Sequence, residues 1–390
     1  MLTQTHLDTA VKRGIINTAQ QADLISLALE SEDDPSNEGT GETPVAGADE
    51  DLRLVGGGND LFVTVGILML FSGVGFVLQT WLGNNQMIRA ALMAVLLWLV
   101  AEFVTRQFRM KLSSTVLGLG FLGYTSAIIG LYIWDVLDLA KLADNPQLAF
   151  GLRPTIGSYG SAFFGGIAVI SVLYFWRFRV PIMSAAIAIS LTGLAFLWTF
   201  LYFYDGVTDG RVQLPTIEQI PLILERALMM PLICGIIVFC TAVYFDLRDR
   251  ERSTVWSDCA FWLHVISAPL LVHPLFILAT GQDVVLGKIE PGMTASIMLG
   301  LLISVFVYVA LAIDRRSLLI PTLAYFGSLG VYYMIETTAN STGLPPLALI
   351  LLVIGLLVIM FGAGWQRIRA LIVRPTLPTS LINKLPPIRV

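Results

Sequence analysis

The residues best suited to chemistry lie within one apolar stretch, residues 257–274, which reads SDCAFWLHVISAPLLVHP. Its candidate pathway or binding residues are Asp258, His264, Ser267 and His273. Charged groups inside a bilayer are costly, so ionisable residues in such a stretch mark a site by default. Because histidine exchanges protons near neutral pH, this set suits a proton relay or a proton-coupled carrier.

Two prolines in the same stretch, Pro269 and Pro274, predict a kinked or partly broken helix. Each proline removes a backbone donor and frees a carbonyl one turn earlier. His264 and His273 are nine residues apart, so at about 100° per residue they point to roughly opposite sides of a straight helix. They cannot form a metal site from this helix alone. A structural role stays open, in which both histidines bond to neighbouring helices and hold the kinked helix in place.

Two acids in other apolar stretches complete the candidates. Glu102 precedes Arg106 by one helical turn, which is the favourable order for a helical ion pair, and an interfacial salt bridge is the simpler interpretation. Glu336 lies near the end of its stretch, where solvent exposure is expected. The sequence contains no H-E-x-x-H, G-x-S-x-G or Walker A motif, so it predicts no catalytic residue, metal or cofactor and favours a non-enzyme.

These residues must be positioned by membrane helices. Of the 390 residues, 56% are hydrophobic and 13% are charged, against about 25% charged in a typical soluble domain. This composition excludes a disordered chain, a nucleic-acid binder and an ordinary soluble enzyme, and makes the lipid bilayer the main partner. Ten apolar runs are long enough to cross a membrane, which predicts an all-α bundle. The runs are 61–80, 87–105, 113–134, 157–176, 181–204, 226–245, 256–279, 293–313, 318–337 and 345–364.

The loops between these runs predict the orientation of the bundle. Of the 24 basic residues, 18 lie in one alternate set of connections and in the two terminal segments, and 6 lie in the other set. Because basic residues concentrate on the cytoplasmic side, both termini are expected in the cytoplasm. One such connection, from Asp246 to Arg252, alternates in sign and is expected to be a solvated loop.

Small residues recur in the third, fourth and fifth runs, for example at Gly118, Gly160 and Gly193. Lipid tails give no hydrophobic drive for helix association, so membrane helices pack where small side chains let their backbones approach. These three runs are therefore expected in the interior of the bundle.

Outside the bundle the chain divides into a head, a linker and a tail. Residues 1–30 predict a pair of short cytoplasmic helices, the second opening on a capping-box pattern at Thr18–Gln21. Residues 31–58 form an acidic flexible linker, after which Asn59 or Asp60 is expected to cap the first membrane helix. The ten-helix domain takes 59–366, and 367–390 is a basic, proline-rich tail.

The head resembles the opening helical pair of a group of bacterial multi-pass membrane proteins known only as a domain of unknown function. The matching pieces are Gly14-Ile15-Ile16, Gln20 or Gln21, and Leu24. Residues 260–274 and the turn Asp314-Arg315-Arg316 are similar to parts of related hypothetical proteins. The resemblance implies a bacterial inner membrane and brings no activity with it.

Three functions remain open. The favoured one is a small-molecule carrier or permease with a kinked polar seventh helix. The second is a non-transporting scaffold or sensor that docks a cytoplasmic protein partner through residues 1–51. The third and weakest is an intramembrane enzyme on a lipid-linked substrate, using Asp258 and His264, which stand about 120° apart around a helix.

Overall fold

The computed structural model describes most of the chain from Gly58 onward and a few positions of the head. The described residues are 11, 13, 17, 18, 20, 21, 58–108, 110–137, 153–211, 227–249, 252, 254–280, 293–319, 346–382 and 385–386. The chain divides into two units, Met1–Ala46 and Gly47–Val390.

The described residues of the second unit form α-helices and one 3₁₀ turn, with no strand among them. This confirms the prediction of an all-α protein. In chain order the helices are α1 (Gly58–Leu82), α2 (Gln86–Phe108), α3 (Lys111–Leu137), α4 (Arg153–Phe178), α5 (Ile182–Thr208), α6 (Met229–Arg248), α7 (Val255–Thr280), α8 (Met293–Ile313), α9 (Pro346–Thr376) and α10 (Thr379–Ile382), with the 3₁₀ turn at Arg316–Leu318.

Seven of these helices, α1 to α7, are long and apolar enough to cross a membrane. Many of their large apolar side chains point outward, as Phe62, Phe76 and Trp81 do on α1, each more than three-quarters exposed. Such a surface suits lipid rather than water. The chain therefore has the helices of a multi-pass membrane protein. Helices α8 and α9 begin within about a residue of the eighth and tenth predicted runs, while nearly all of the ninth run, 318–337, lies outside the described residues.

The seventh predicted run becomes the most buried of the seven spanning helices. Half of the most apolar window of α7 is buried, against 11% in α3 and α4 and 17% in α5. The expectation that the glycine-rich third to fifth runs form the interior is therefore wrong. The sequence missed this because burial also depends on how many helices surround a segment, which no single run reveals.

The small residues of α3 to α5 mark pairwise contacts instead. A Cβ added at Gly118 would meet Met183 and the ring of Tyr174, and one added at Gly160 would meet Leu197. Between α6 and α7 the backbone itself comes close, since a Cβ on Gly235 would lie 3.0 Å from the backbone carbonyl carbon of Leu270. This close contact brings the side chains of α6 and α7 within reach of each other.

The C-terminal end of α8 has a backbone conformation that sets the directions of the two residues after it. Asp314 adopts a left-handed conformation with φ of 56°, which Asp tolerates better than most residues. The Arg315 N–H donates to the Ala310 carbonyl at 2.9 Å, and the Asp314 N–H donates to the Leu311 carbonyl at 3.3 Å. This pair of bonds is a Schellman motif, which closes the helix and fixes the directions of Asp314 and Arg315.

In the head unit, two reciprocal bonds form a capping box. The Gln20 N–H donates to Asn17 Oδ1 at 2.8 Å, and the Asn17 N–H donates to Gln20 Oε1 at 3.0 Å. The box therefore starts one residue earlier than the predicted Thr18–Gln21 pattern, because Asn is as good a capping residue as Thr.

Candidate functional site

The centre of the candidate site is a buried carboxylate, Asp246, in the last turn of α6. Asp246 is 4% exposed and His264 on α7 is fully buried. His264 Nε2 lies 2.9 Å from Asp246 Oδ2. Because an ionised carboxylate only accepts hydrogen bonds, the imidazole carries its proton on Nε2 and donates it to Asp246. The two residues form a dyad between neighbouring helices.

Arg315, in the turn after α8, binds the same carboxylate. Its Nε donates to both oxygens of Asp246, at 3.1 and 3.0 Å, and its Nη2 donates to Oδ1. The same Nη2 reaches the carbonyl oxygen and the hydroxyl of Ser257 at 3.1 and 3.0 Å. Arg315 therefore joins the end of α8 to both α6 and the first turn of α7, and the Schellman motif holds it in that direction.

The two ring nitrogens of His264, Nε2 and Nδ1, differ in their hydrogen bonding. Nδ1 is buried and has no hydrogen-bond partner among the residues that the structure describes. The ring of Phe239 on α6 stands against the imidazole edge-to-face, with centroids 5.4 Å apart. With the proton on Nε2, Nδ1 carries a lone pair that is buried in the closed structure.

A second buried carboxylate, Asp314, extends the network to α9. The indole Nε1 of Trp365 donates to Asp314 Oδ1 at 2.7 Å. Arg252, just before α7, and Arg369, on α9, place guanidinium nitrogens 3.4 and 3.7 Å from Asp314 Oδ2. Asp314 therefore accepts a hydrogen bond from Trp365 and forms ion pairs with two guanidinium groups, one before α7 and one on α9.

Arg369 connects this network to the chain after α9. It is fully buried, and its Nε donates to the Leu311 carbonyl at 2.9 Å. Its Nη2 donates to the carbonyl of Pro386 at 2.8 Å. The guanidinium of Arg316 lies over the Trp365 ring, 5.4 Å from its centroid, in a cation–π contact. The ends of α6, α7, α8 and α9 are thus joined by polar contacts.

The start of α7 is defined by local capping. The Asp249 carboxylate accepts bonds from the backbone N–H and the hydroxyl of Thr254, at 2.9 and 2.6 Å. The Thr254 hydroxyl in turn accepts a bond from the Trp256 N–H at 3.3 Å. Thr254 is therefore the N-cap of α7, and the cap fixes where Ser257 meets Arg315.

The predicted candidates on α7 separate in the structure. Ser267 is buried one turn from His264 and donates its hydroxyl proton to the His264 carbonyl at 3.0 Å. Asp258 is half-exposed and pairs with Lys111 of α3 at 3.3 Å. His273 is partly buried. Asp258 and His264 therefore have different partners and form no joint acid–base pair.

The remaining predicted candidates are Glu102, Glu336 and the two prolines of α7. Glu102 lies 2.6 Å from Arg177 of α4 and 3.7 Å from Arg106, so the salt bridge expected with Arg106 exists but the closer partner is on another helix. Glu336 lies outside the described residues. Helix α7 continues through Pro269 and Pro274 without a break.

The predicted solvated loop from Asp246 to Arg252 is wrong for most of its described residues. Asp246 and Asp249 are buried, and the Arg252 side chain is 5% exposed; among those described, only Leu247 and Arg248 are exposed. A run of alternating charges predicts solvation only when nothing packs over it, and here the end of α8 and the turn after it contact Asp246 and Arg252.

Sequence reasoning also missed Arg315, Asp314 and Arg369 as site residues, since each falls at or beyond the end of an apolar run. The available signal was the Asp314-Arg315-Arg316 turn, where an acid and two bases follow a membrane helix directly. Within the described chain, no three His, Cys, Asp or Glu side chains come together to hold a metal ion.

A separate polar contact joins α1 to α3. Asp60, 2% exposed, accepts bonds from the backbone N–H of Leu112 at 2.9 Å and of Ser113 at 3.0 Å. The Ser113 hydroxyl donates to the same carboxylate at 2.7 Å. Asp60 was expected to cap α1, but α1 already begins at Gly58, and Asp60 instead caps the first turn of α3, whose positive end favours an anion.

Comparisons with protein-family models, with curated proteins and with solved structures gave no match for this chain. The conclusions on its function therefore depend on the geometry of its own residues.

Proposed function

We propose that this chain is a carrier or permease for a small molecule. The observation that supports it is a buried set among helices of membrane-spanning length, in which His264 and Arg315 both bond to Asp246. Removing ions from water costs several kcal/mol for each ion, so membrane bundles seldom contain them without a use. Where they occur, they commonly mark the path of a substrate or ion.

In this proposal the network closes one end of the bundle. Polar contacts between helix ends can be exchanged for contacts with water at little net cost, whereas packed apolar surface cannot. A carrier needs such a closure, because its substrate site must open to one side of the membrane at a time. Arg315 is the central residue of the closure, since it bonds to residues of both α6 and α7.

We further propose ten membrane helices, with both termini in the cytoplasm of a bacterial cell and the bundle in its inner membrane. The polar contacts between helices support the alternation, because each joins two ends that the distribution of basic residues assigns to the same side. On the cytoplasmic side these pairs are Asp60 with Ser113, Glu102 with Arg177, Lys111 with Asp258 and Arg315 with Asp246, and on the other side Arg153 with Asp205.

The packing of α8 against α9 also supports the proposed number of ten membrane helices. The C-terminal end of α8 lies against the C-terminal half of α9, since Arg369 donates to the Leu311 carbonyl and Trp365 donates to Asp314. Two spanning helices whose C-terminal ends share a side require an odd number of crossings between them. The predicted run 318–337 supplies one such crossing.

An uptake experiment tests the carrier without a known substrate. Purified protein is reconstituted in liposomes, which are then incubated with a ¹³C-labelled metabolite extract of a bacterial host, and the trapped solutes are identified by mass spectrometry. We expect at least one solute to accumulate above protein-free liposomes. An Arg315→Ala variant is expected to lose that accumulation, whereas Lys111→Ala, which removes an exposed pair, is expected to retain it. No enrichment with the wild-type protein would contradict the proposal.

A second candidate is a scaffold or sensor that works through the head. The observation that favours it is the division of the chain after Ala46, which makes the head a unit of its own. It predicts that deletion of residues 1–51 abolishes the function in cells while Arg315→Ala is tolerated. The opposite result, with a functional deletion and a defective Arg315→Ala, would favour the carrier.

A further inference from the structure

We infer that Nδ1 of His264 is a proton-binding site and that proton binding there opens the joint between α6, α7 and the turn after α8. The inference rests on the proposed carrier function and assigns the proton as its coupling ion. It starts from the fully buried ring, whose Nε2 is bonded to Asp246 while Nδ1 has no hydrogen-bond partner in the described part of the chain.

The closed structure accommodates only the neutral ring. A proton added to Nδ1 would create a buried N–H with no acceptor, which is a costly arrangement. It would also place a second positive charge on a carboxylate that Arg315 already occupies. The closed joint therefore binds this proton weakly.

The surrounding charges make the added proton unfavourable in the closed state. From α6 the ring faces Asp246, from the turn after α8 it faces Arg315, and from the segment before α7 it faces Arg252. One layer further, Asp314 pairs with both Arg252 and Arg369. Two guanidinium groups thus act on the ring against one directly bonded carboxylate.

Opening of the joint makes proton binding to Nδ1 more favourable. When water reaches Nδ1, a hydronium ion transfers its proton to the lone pair, an N–H bond forms, and the O–H bond breaks to leave water. The imidazolium N–H then donates to water, and the displaced Arg315 is solvated. Because the open form binds the proton more tightly than the closed form, a fall in pH favours opening, by up to tenfold for each pH unit when one proton is taken up.

Hydrogen–deuterium exchange of the full-length protein in lipid nanodiscs tests this. Exchange of peptides covering 246–264 and 311–319 is measured between pH 5 and pH 8 and corrected for the intrinsic pH dependence of amide exchange. We expect the corrected opening of both segments to increase as the pH falls, with a slope of up to tenfold per pH unit. A wild-type protein whose opening does not depend on pH would overturn the inference.

Two matched variants assign the response to one ring. In His264→Gln the side-chain amide can still donate to Asp246 but cannot take up a proton, so the pH dependence is expected to disappear. His273→Gln changes the other histidine of α7 and is expected to keep it. An unchanged response in His264→Gln would overturn the assignment.

A measurement on the unmodified ring covers the case in which His264→Gln does not fold. The chain has three histidines, so solid-state NMR of ¹⁵N-histidine protein in lipid gives few signals. Comparison with His6→Gln and His273→Gln assigns the signal of His264. We expect its Nδ1 to change from a bare to a protonated nitrogen over the pH range of the exchange response, and a ring that stays in one state throughout that range would overturn the inference.

These results separate the inference from the proposed function. Neither exchange nor NMR requires a substrate. A pH response with no solute uptake would leave the proton site standing and contradict the carrier. Uptake with no pH response would leave a carrier that is not coupled to protons and overturn the site.

Discussion

Two buried aspartates, Asp60 and Asp246, are stabilised by different kinds of hydrogen-bond donor. Each carries a carboxylate that is almost completely removed from solvent at the end of an apolar helix. The bonds to Asp60 include two backbone N–H groups and a hydroxyl of α3, none of which changes charge. The bonds to Asp246 come from an imidazole and a guanidinium on two other segments.

This difference in donors distinguishes the α1–α3 contact, whose charges are fixed, from the contact between α6, α7 and the turn after α8, where the imidazole can change its charge. A helix N-terminus offers donors that are already ordered and whose dipole does not depend on pH. An imidazole changes its charge in the physiological range, so a contact that includes it can respond to protons. The α1–α3 contact is therefore expected to be static, while the contact between α6, α7 and the turn after α8 is the one that can serve a function.

The largest expected effect comes from breaking the Asp246–Arg315 pair. Arg315→Met leaves a buried carboxylate without its main counter-charge, which should lower the free energy of unfolding by about 3–5 kcal/mol. The double variant Asp246→Leu with Arg315→Met buries neither charge and should lose markedly less than either single change. SDS-driven unfolding in mixed micelles measures all three. Additive losses in the double variant would show that the two side chains do not act as a pair.

A smaller loss of unfolding free energy is expected when Asp60 is changed in the α1–α3 contact. Asp60→Ala removes the acceptor for three donors at the start of α3 and should cost about 2 kcal/mol. Asp60→Asn keeps one carbonyl oxygen and should cost about half as much. Neither variant should alter the pH dependence of exchange at 311–319. A changed pH response in Asp60→Ala would remove the distinction between the two joints.

The close approach of α6 and α7 predicts an intermediate-to-small effect. Gly235→Ala forces a Cβ to within 3.0 Å of the Leu270 backbone, and overpacking should outweigh the better helix propensity of alanine, for a net loss of about 1 kcal/mol. Gly123→Ala is the matched control, since nothing lies within 4 Å of its Cβ position, and it should be neutral or stabilising. Thermal unfolding in detergent compares the two; equal melting temperatures would show that α6 and α7 can separate without cost.

The smallest effect is expected at the exposed pair on the same side. Lys111 and Asp258 are 43% and 42% exposed, and such pairs contribute about 0–1 kcal/mol. Asp258→Ala should therefore unfold within about 1 kcal/mol of the wild-type protein and keep its pH response. A loss comparable to that of Arg315→Met would show that Asp258 belongs to the buried network.

Local patterns predicted much of this fold. The run 87–105 became α2, Gln86–Phe108, and the run 256–279 became α7, Val255–Thr280. His264 was a candidate because an ionisable residue inside an apolar helix is visible from the sequence. Its partners were not visible, since Asp246 and Arg315 fall at helix ends where water was expected. The sequence also missed that α9 continues to Thr376, past its apolar run.

The sequence by itself determined where the apolar helices lie, because a spanning segment is defined by its own length and composition. Only the tertiary structure decided which polar groups leave water together. Asp246 is separated by 18 residues from His264 and by 69 residues from Arg315, and no local pattern encodes such a contact. The left-handed end of α8 and the close approach of α6 to α7 bring the three side chains together, because they fix the directions in which helix ends point.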